Sequence, residues 1–324
     1  ILIIKIVLLI LSLIILLVLV NTIPLLYQNK LAYMLGFGMV IGQSFTPIWL
    51  FQGMEKMKYV TLVNLISKLT FTLLIFVVVK VSSDYIYVPL LYSIGFVIAS
   101  IISLFFAYKQ FGVSIKFVYW DDINEQLHNS TQYFYSRAAI AGYSSGNNFI
   151  VGLVLGEYFA GIFGVAEKLY MAIILVYSPL SEAIYPYMVK NKNLKLLKKI
   201  IIAVVIINIS AICFVTFLSE HIVYFVFGDG FLESAKLLRY FCFLAFLTVP
   251  TIFMGFPFLG AFGYEKYANY SVVIGSIVHV LILILFYPFL SIYTMVMLLI
   301  FTQIIVFSVR AYGVNLLLKS NRVA

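Results

Sequence analysis

Ten stretches of roughly twenty residues, apolar on every face, constrain this chain more than any other feature of it. A hydrocarbon core about 30 Å thick is crossed by about 20 helical residues. The runs at 1–20, 31–52, 60–80, 87–108, 137–155, 157–189, 200–219, 235–262, 269–289 and 291–314 all reach about that length, and 157–189 and 235–262 run longer. A membrane β-barrel needs apolar and polar residues in strict alternation, whereas ILLVLV (15–20) and LILILF (281–286) have none. The expected fold is therefore all-α, a polytopic transmembrane bundle with ten helices present. Composition agrees: 64% of residues are hydrophobic and 10% charged, too little polar surface to cover a soluble globule of 324 residues.

A short pattern repeats within this framework. PIWLFQGMEK, from Pro47 to Lys56, returns as PFLGAFGYEK, from Pro257 to Lys266. Pro47, Gly53, Glu55 and Lys56 match Pro257, Gly263, Glu265 and Lys266 at identical spacing. The two copies end the second and the eighth span, six apart, as a duplicated six-helix unit requires. Each reads as a helix-loop-helix hinge in which the Glu-Lys pair opens a short polar turn. The symmetry predicts twelve spans as six plus six, so that two helices precede Ile1 and the sequence reads as a fragment. The expected divisions are 1–118, the remainder of the amino-terminal lobe with its first two helices missing; 119–136, a cytoplasmic linker helix; and 137–324, the carboxy-terminal lobe.

Charge sets the orientation. Of the 21 Lys and Arg residues, fourteen collect on one side of the predicted spans, among them Lys56, Lys195, Lys266 and Arg310. Four lie on the other side, and Lys5, Lys68 and Lys168 fall within spans. The fourteen-residue side is expected to be cytoplasmic, together with both hinges and the C-terminus. The net charge of +9 thus reports topology. It does not indicate nucleic acid, because the basic residues form no aromatic-interleaved patch.

No enzymatic motif is found. The three histidines, His128, His221 and His279, belong to different segments, and Cys213 and Cys242 lie in apolar runs, so no metal set or disulfide framework is expected. Neither a phosphate-binding Gly-Lys-Ser/Thr loop nor a GxSxG elbow occurs. No cofactor is implied.

What remains is the set of polar groups inside spans, each charged one costing about 2.5 to 3.5 kcal/mol at the bilayer centre on insertion scales. Lys168, next to Glu167, lies eleven residues beyond Glu157, about 16 Å along a helix and out of easy reach of either surface. It either lines a hydrated cavity or pairs with another helix. Lys68 can line a cavity or snorkel to the headgroups, and Arg137, at the start of the fifth span, can meet phospholipid or line a cavity. Glu182, between Pro179 and Pro186, is expected to point inward from a kinked helix. Asn147 and Asn148 read more readily as helix-helix hydrogen-bonding residues than as ligands.

PIWLFQGMEKMKYVT (47–61) and FGVAEKLYMAIILVYSPLSEAIYPYMVK (163–190) resemble the Wzx-type O-antigen flippases of the polysaccharide biosynthesis family, part of the multidrug/oligosaccharidyl-lipid/polysaccharide superfamily. The similarity in pattern covers nearly the whole chain. It implies a transporter of the bacterial inner membrane, not an enzyme, that passes an undecaprenyl-diphosphate-linked oligosaccharide between leaflets by alternating access. It also implies a central cavity in which Lys168, Lys68 and Arg137 are candidates to meet the diphosphate, with Glu167, Glu182, Asn147 and Asn148 beside them. Membrane lipids, an O-antigen polymerase and a chain-length regulator are the implied partners. A drug or solute antiporter of similar helix count is the alternative carrier. An O-antigen polymerase is the alternative enzyme, disfavoured because the longest loop lies on the lysine-rich side.

Overall fold

The structure is a computed structural model that describes residues 2–54, 56–112, 124–127, 130–131 and 146–319. Among these residues no strand occurs, and nine helical segments are long and apolar enough to cross a membrane. Gly146–Leu155 is a further, shorter apolar helix. It is the described part of the fifth predicted span, the rest of which lies outside the described residues, as do Glu55, Arg137 and most of the expected linker. The fold is the all-α polytopic bundle that the apolar runs predict. It divides into two compact units, residues 1–132 and 133–324.

The first unit contains α1 (Leu2–Thr22), a short α2 (Pro24–Gln28), α3 (Lys30–Phe45), a short α4 (Ile48–Gly53), α5 (Met57–Val78) and α6 (Val88–Phe111). Helix α6 packs between α3 and α5, and glycine makes both contacts possible. A Cβ on Gly42 would sit 2.6 Å from the backbone carbon of Phe96, and one on Gly95 would sit 2.5 Å from the Ser67 carbonyl oxygen. Lipid tails are as apolar as Leu, so helices in a bilayer gain little by burying Leu against Leu, and close backbone approach supplies the attraction instead. Ser93 fixes the register: its Oγ donates to Leu35 O at 2.7 Å and accepts from Met39 N–H at 2.9 Å. Helix α1 keeps most of its apolar surface outward, and Lys5 Nζ donates to Ser44 O at 2.8 Å.

The second unit runs through α7 (Gly146–Leu155), α8 (Glu157–Asn191), α9 (Leu194–Phe217), α10 (Ser219–Phe227), α11 (Leu232–Phe253), α12 (Glu265–Leu285) and α13 (Ile292–Lys319). Gly156, at φ +96°, divides α7 from α8 where the sequence predicts the division. Helix α8 continues as one helix with Pro179 and Pro186 inside it. At the centre, α11 buries Leu237, Leu238, Phe241, Cys242 and Ala245 against α8 and α13. Ser234 Oγ donates to Ile162 O at 2.8 Å, and Tyr170 Oη meets Thr248 Oγ1 at 3.1 Å, so polar links tie α8 to α11 at two levels.

Two features depart from simple spans. The run at 200–219 yields α9 plus part of a separate short helix, α10. The run at 235–262 is interrupted: α11 passes at Met254 into a π-helical segment, Met254–Gly260, in which Gly255 has the non-helical ψ of −116°. Pro257 has no N–H to offer the ladder, and its ring crowds the preceding turn, which forces the wider winding.

Candidate functional site

Both predicted hinges separate two helices. Pro47 and Pro257 are buried, and Lys56 and Lys266 are exposed. Each hinge closes with a bond from an N–H to the carbonyl five residues back, Lys56 N to Phe51 O and Tyr264 N to Leu259 O, both at 2.8 Å. The backbones nevertheless differ. Gly263 turns at φ +81°, which Gly53 does not, and Glu265 and Lys266 already belong to the first turn of α12 rather than to a loop before it. The two copies of the motif therefore have two local geometries.

Helix α8 carries the central candidates. Its buried face includes Ile162, Phe163, Ala166, Tyr170, Tyr177 and Met188. Glu167 is half-buried at the edge of that face, and Lys168, about 100° further round, is exposed on the second unit. Among the described residues neither has an ion-pair partner, since Arg239–Glu220 is the one ion pair there. Glu182 is exposed on the same helix, two turns before its last turn. Lys68 is exposed on α5 of the first unit.

The asparagines separate into two roles. Asn147 is 1% exposed, and its carboxamide meets His279 Nε2 at 2.9 Å. The other ring nitrogen, Nδ1, lies 2.9 Å from Thr302 Oγ1. That hydroxyl also lies 2.8 Å from Leu298 O, four residues back on α13. One imidazole thus joins α7, α12 and α13. Asn148 lies against Gly164, where a Cβ would stand 3.0 Å from its Nδ2, and its Oδ1 is buried without a hydrogen-bond partner among the described residues.

Two polar groupings escape a reading based on spans and loops. His279 does so because it has no second metal-type residue at ligand spacing, although a histidine in SIVHVLILILF signals an intramembrane polar contact by itself. Arg310 is counted among loop cations on sequence, yet it stands inside α13, nine residues before Lys319. Its guanidinium donates from Nη1 to Thr251 O at 2.6 Å and from Nε to Ser271 Oγ at 2.9 Å, filling the break around Gly255. A Cβ on Gly255 would stand 2.9 Å from Nη1.

Chemically, the described residues offer exposed cations on α5 and α8, three carboxylates on α8 (Glu157, Glu167 and Glu182), and neutral hydrogen-bonding groups buried between helices. Among curated relatives, a protein of Shigella dysenteriae named "Putative O-antigen transporter" is 27% identical over 269 residues, which is 82% of this chain and 68% of the relative. A protein of the same name from Escherichia coli strain K12 is 30% identical over 163 residues, 50% of this chain and 39% of the relative. No solved structure matches. The polysaccharide biosynthesis protein family matches residues 1–192, well over half of the sequence. The chain belongs to that family.

Proposed function

We propose that the chain carries an undecaprenyl-diphosphate-linked O-antigen oligosaccharide across the bacterial cytoplasmic membrane, without catalysing a reaction. The carrying observation is Lys168: an exposed cation deep in α8, with no ion-pair partner among the described residues, in a chain whose relatives are named O-antigen transporters. A diphosphate cannot enter hydrocarbon unaccompanied, so its carrier needs cations on a hydrated path while the lipid tail stays in the bilayer. Lys168 is the proposed diphosphate contact of the second unit, with Arg137 a further candidate by sequence, and Lys68 is the proposed contact of the first. Glu167, Glu182 and Asn148 are proposed as polar groups of the second unit that meet cargo, and Asn147 serves the His279 contact. The two units are proposed to belong to two six-helix lobes, with both hinges and the C-terminus cytoplasmic. The polymerase and chain-length regulator of the same pathway are the proposed partners.

The test is charge against length at Lys168. Ammonium and guanidinium both hold phosphate, whereas an amide cannot replace the cation. In the full-length protein, Lys168→Arg retains partial export of surface polysaccharide and Lys168→Gln loses most of it, at equal membrane abundance. Normal export by an abundant Lys168→Gln variant refutes the assignment.

A further inference from the structure

Away from α8, the second unit holds a basic and aromatic cleft that the transport reading leaves unused. Lys236, Arg239, Tyr240 and Tyr293 line an open cleft of about 520 Å³. Lys236 and Arg239 stand one turn apart near the start of α11. Tyr240 lies beside them, with its ring edge-on to Tyr293 of α13, centroids 5.7 Å apart and planes at 66°. Arg239 is held in place, because Nε donates to Ser219 Oγ at 3.1 Å and Nη2 donates to Glu220 Oε1 at 2.8 Å. These bonds use two of its five N–H groups. Lys236 has no ion-pair partner among the described residues.

The carboxylates nearby are already engaged. Glu220 is the Arg239 partner, and Glu233, one turn before Lys236, accepts from Tyr158 Oη at 3.5 Å. Arg239, though paired with Glu220, keeps three further N–H donors, and Lys236 is the cleft's cation without an ion-pair partner among the described residues.

Helix α10 fixes the depth. It supplies Ser219 and Glu220 to Arg239, while Phe217 just before it and Tyr224 and Phe225 within it are 85%, 56% and 90% exposed. A short helix that pairs such rings with polar residues belongs at a membrane–water interface, where aromatic belts and lipid headgroups meet. The cleft lies at the end of α11 opposite the Lys266 hinge, since α11 begins at Leu232 and the hinge follows its other end.

We propose that this cleft binds the phosphate of a membrane lipid, with Lys236 and Arg239 on the phosphate oxygens and the Tyr240–Tyr293 pair against the adjoining sugar or glycerol. Under the transport reading on which this source rests, the phosphate is the diphosphate of the cargo at the face opposite the hinges. A resident anionic phospholipid offers the same chemistry.

Native mass spectrometry of the full chain, with undecaprenyl diphosphate and phosphatidylglycerol as separate probes, tests the proposal. Lys236→Gln lowers retention of the bound lipid about tenfold, the scale of one charge-assisted contact. Lys236→Arg restores it, Tyr293→Leu weakens it, and Lys195→Gln, an exposed lysine elsewhere, leaves it unchanged. Displacement of phosphatidylglycerol by equimolar undecaprenyl diphosphate identifies the cargo as the source. Retention of phosphatidylglycerol alone identifies a resident lipid. Retention that is the same in Lys236→Gln as in the parent, or that falls equally in Lys195→Gln, overturns the proposal. Because binding is read without transport, export-competent Lys168→Gln combined with lipid-deficient Lys236→Gln removes the carrier assignment and keeps the cleft.

Discussion

Helix α3 carries its own controlled experiment in two glycines six residues apart. A Cβ on Gly42 would meet Phe96 at 2.6 Å (C), 2.7 Å (O) and 2.8 Å (Cβ), mostly backbone that no rotamer change can move aside. A Cβ on Gly36 would meet Pro89 Cβ at 3.4 Å, an ordinary contact. Gly42→Ala must therefore push α3 and α6 apart by about 0.8 Å, the gap between 2.6 and 3.4 Å. A separation of that size forfeits roughly a quarter to a half of each dispersion contact along the interface. Overpacking of this kind costs about 1–3 kcal/mol. Gly36→Ala avoids the clash and gains up to about 1 kcal/mol of helix propensity, which Gly42→Ala also gains and loses again. The two variants should differ by about 2 kcal/mol, close to thirty-fold in the folded population. Thermal unfolding of fluorescently tagged protein in detergent, followed by size-exclusion chromatography, measures the order. The expected result is Gly42→Ala below the parent and Gly36→Ala at or above it. Equal midpoints for the two variants would refute glycine-mediated packing of α3 on α6.

Three further outcomes are expected. With Cys213 and Cys242 replaced by Ala, single cysteines at Lys56, Lys195 and Lys266 should react with an impermeant thiol reagent only after permeabilisation, and those at Asp84 and Asp229 in intact cells; labelling of position 266 from outside would overturn the orientation and the repeat together. Gly263→Ala should lose about 1–2 kcal/mol because Gly263 sits at φ +81°, while Gly53→Ala, whose Cβ meets nothing within 4 Å, should stay within about 0.5 kcal/mol of the parent in the same unfolding assay. In a double-mutant cycle, His279→Leu and Thr302→Val should be non-additive by roughly 0.6 to 1.7 kcal/mol, the range for hydrogen bonds between membrane helices, and strict additivity would mean that Nδ1 and Oγ1 do not interact.

The spans were legible because bilayer thickness dictates their length and needs no periodicity to be read. Their internal breaks were not. Hydropathy sees one apolar stretch through Phe253 and Phe258, since a π-helical turn changes the winding of the backbone and not the polarity of its residues. Nor does it separate α9 from α10, because an interfacial helix such as SEHIVYFVF is nearly as apolar as a spanning one. Arg310 was misread for a related reason: a cation near the end of an apolar run looks like a snorkelling flank, and only its partners on α11 and α12 reveal an inward one. The contacts of α3 were available in principle, as Gly38 and Gly42 have the four-residue spacing of close helix crossings. Asn147 joins α7 to α12 through His279, a partner that was not identifiable because 132 positions separate the two.

Arg310 also makes the broken helix and the last helix a single inherited unit. A straight α11 would return the Thr251 carbonyl to its own ladder and cost the guanidinium its shortest bond, leaving it Ser271 Oγ and Ala268 O. A sequence that loses the cation would leave that carbonyl with the Met254 N–H alone among the described residues and empty the space beside Gly255. Each half favours the other, so relatives should carry both or neither. Descendants with an apolar residue in place of Arg310 are expected to have replaced Gly255 and Pro257 with ordinary helix formers, and that paired substitution can be counted directly in any collection of related sequences.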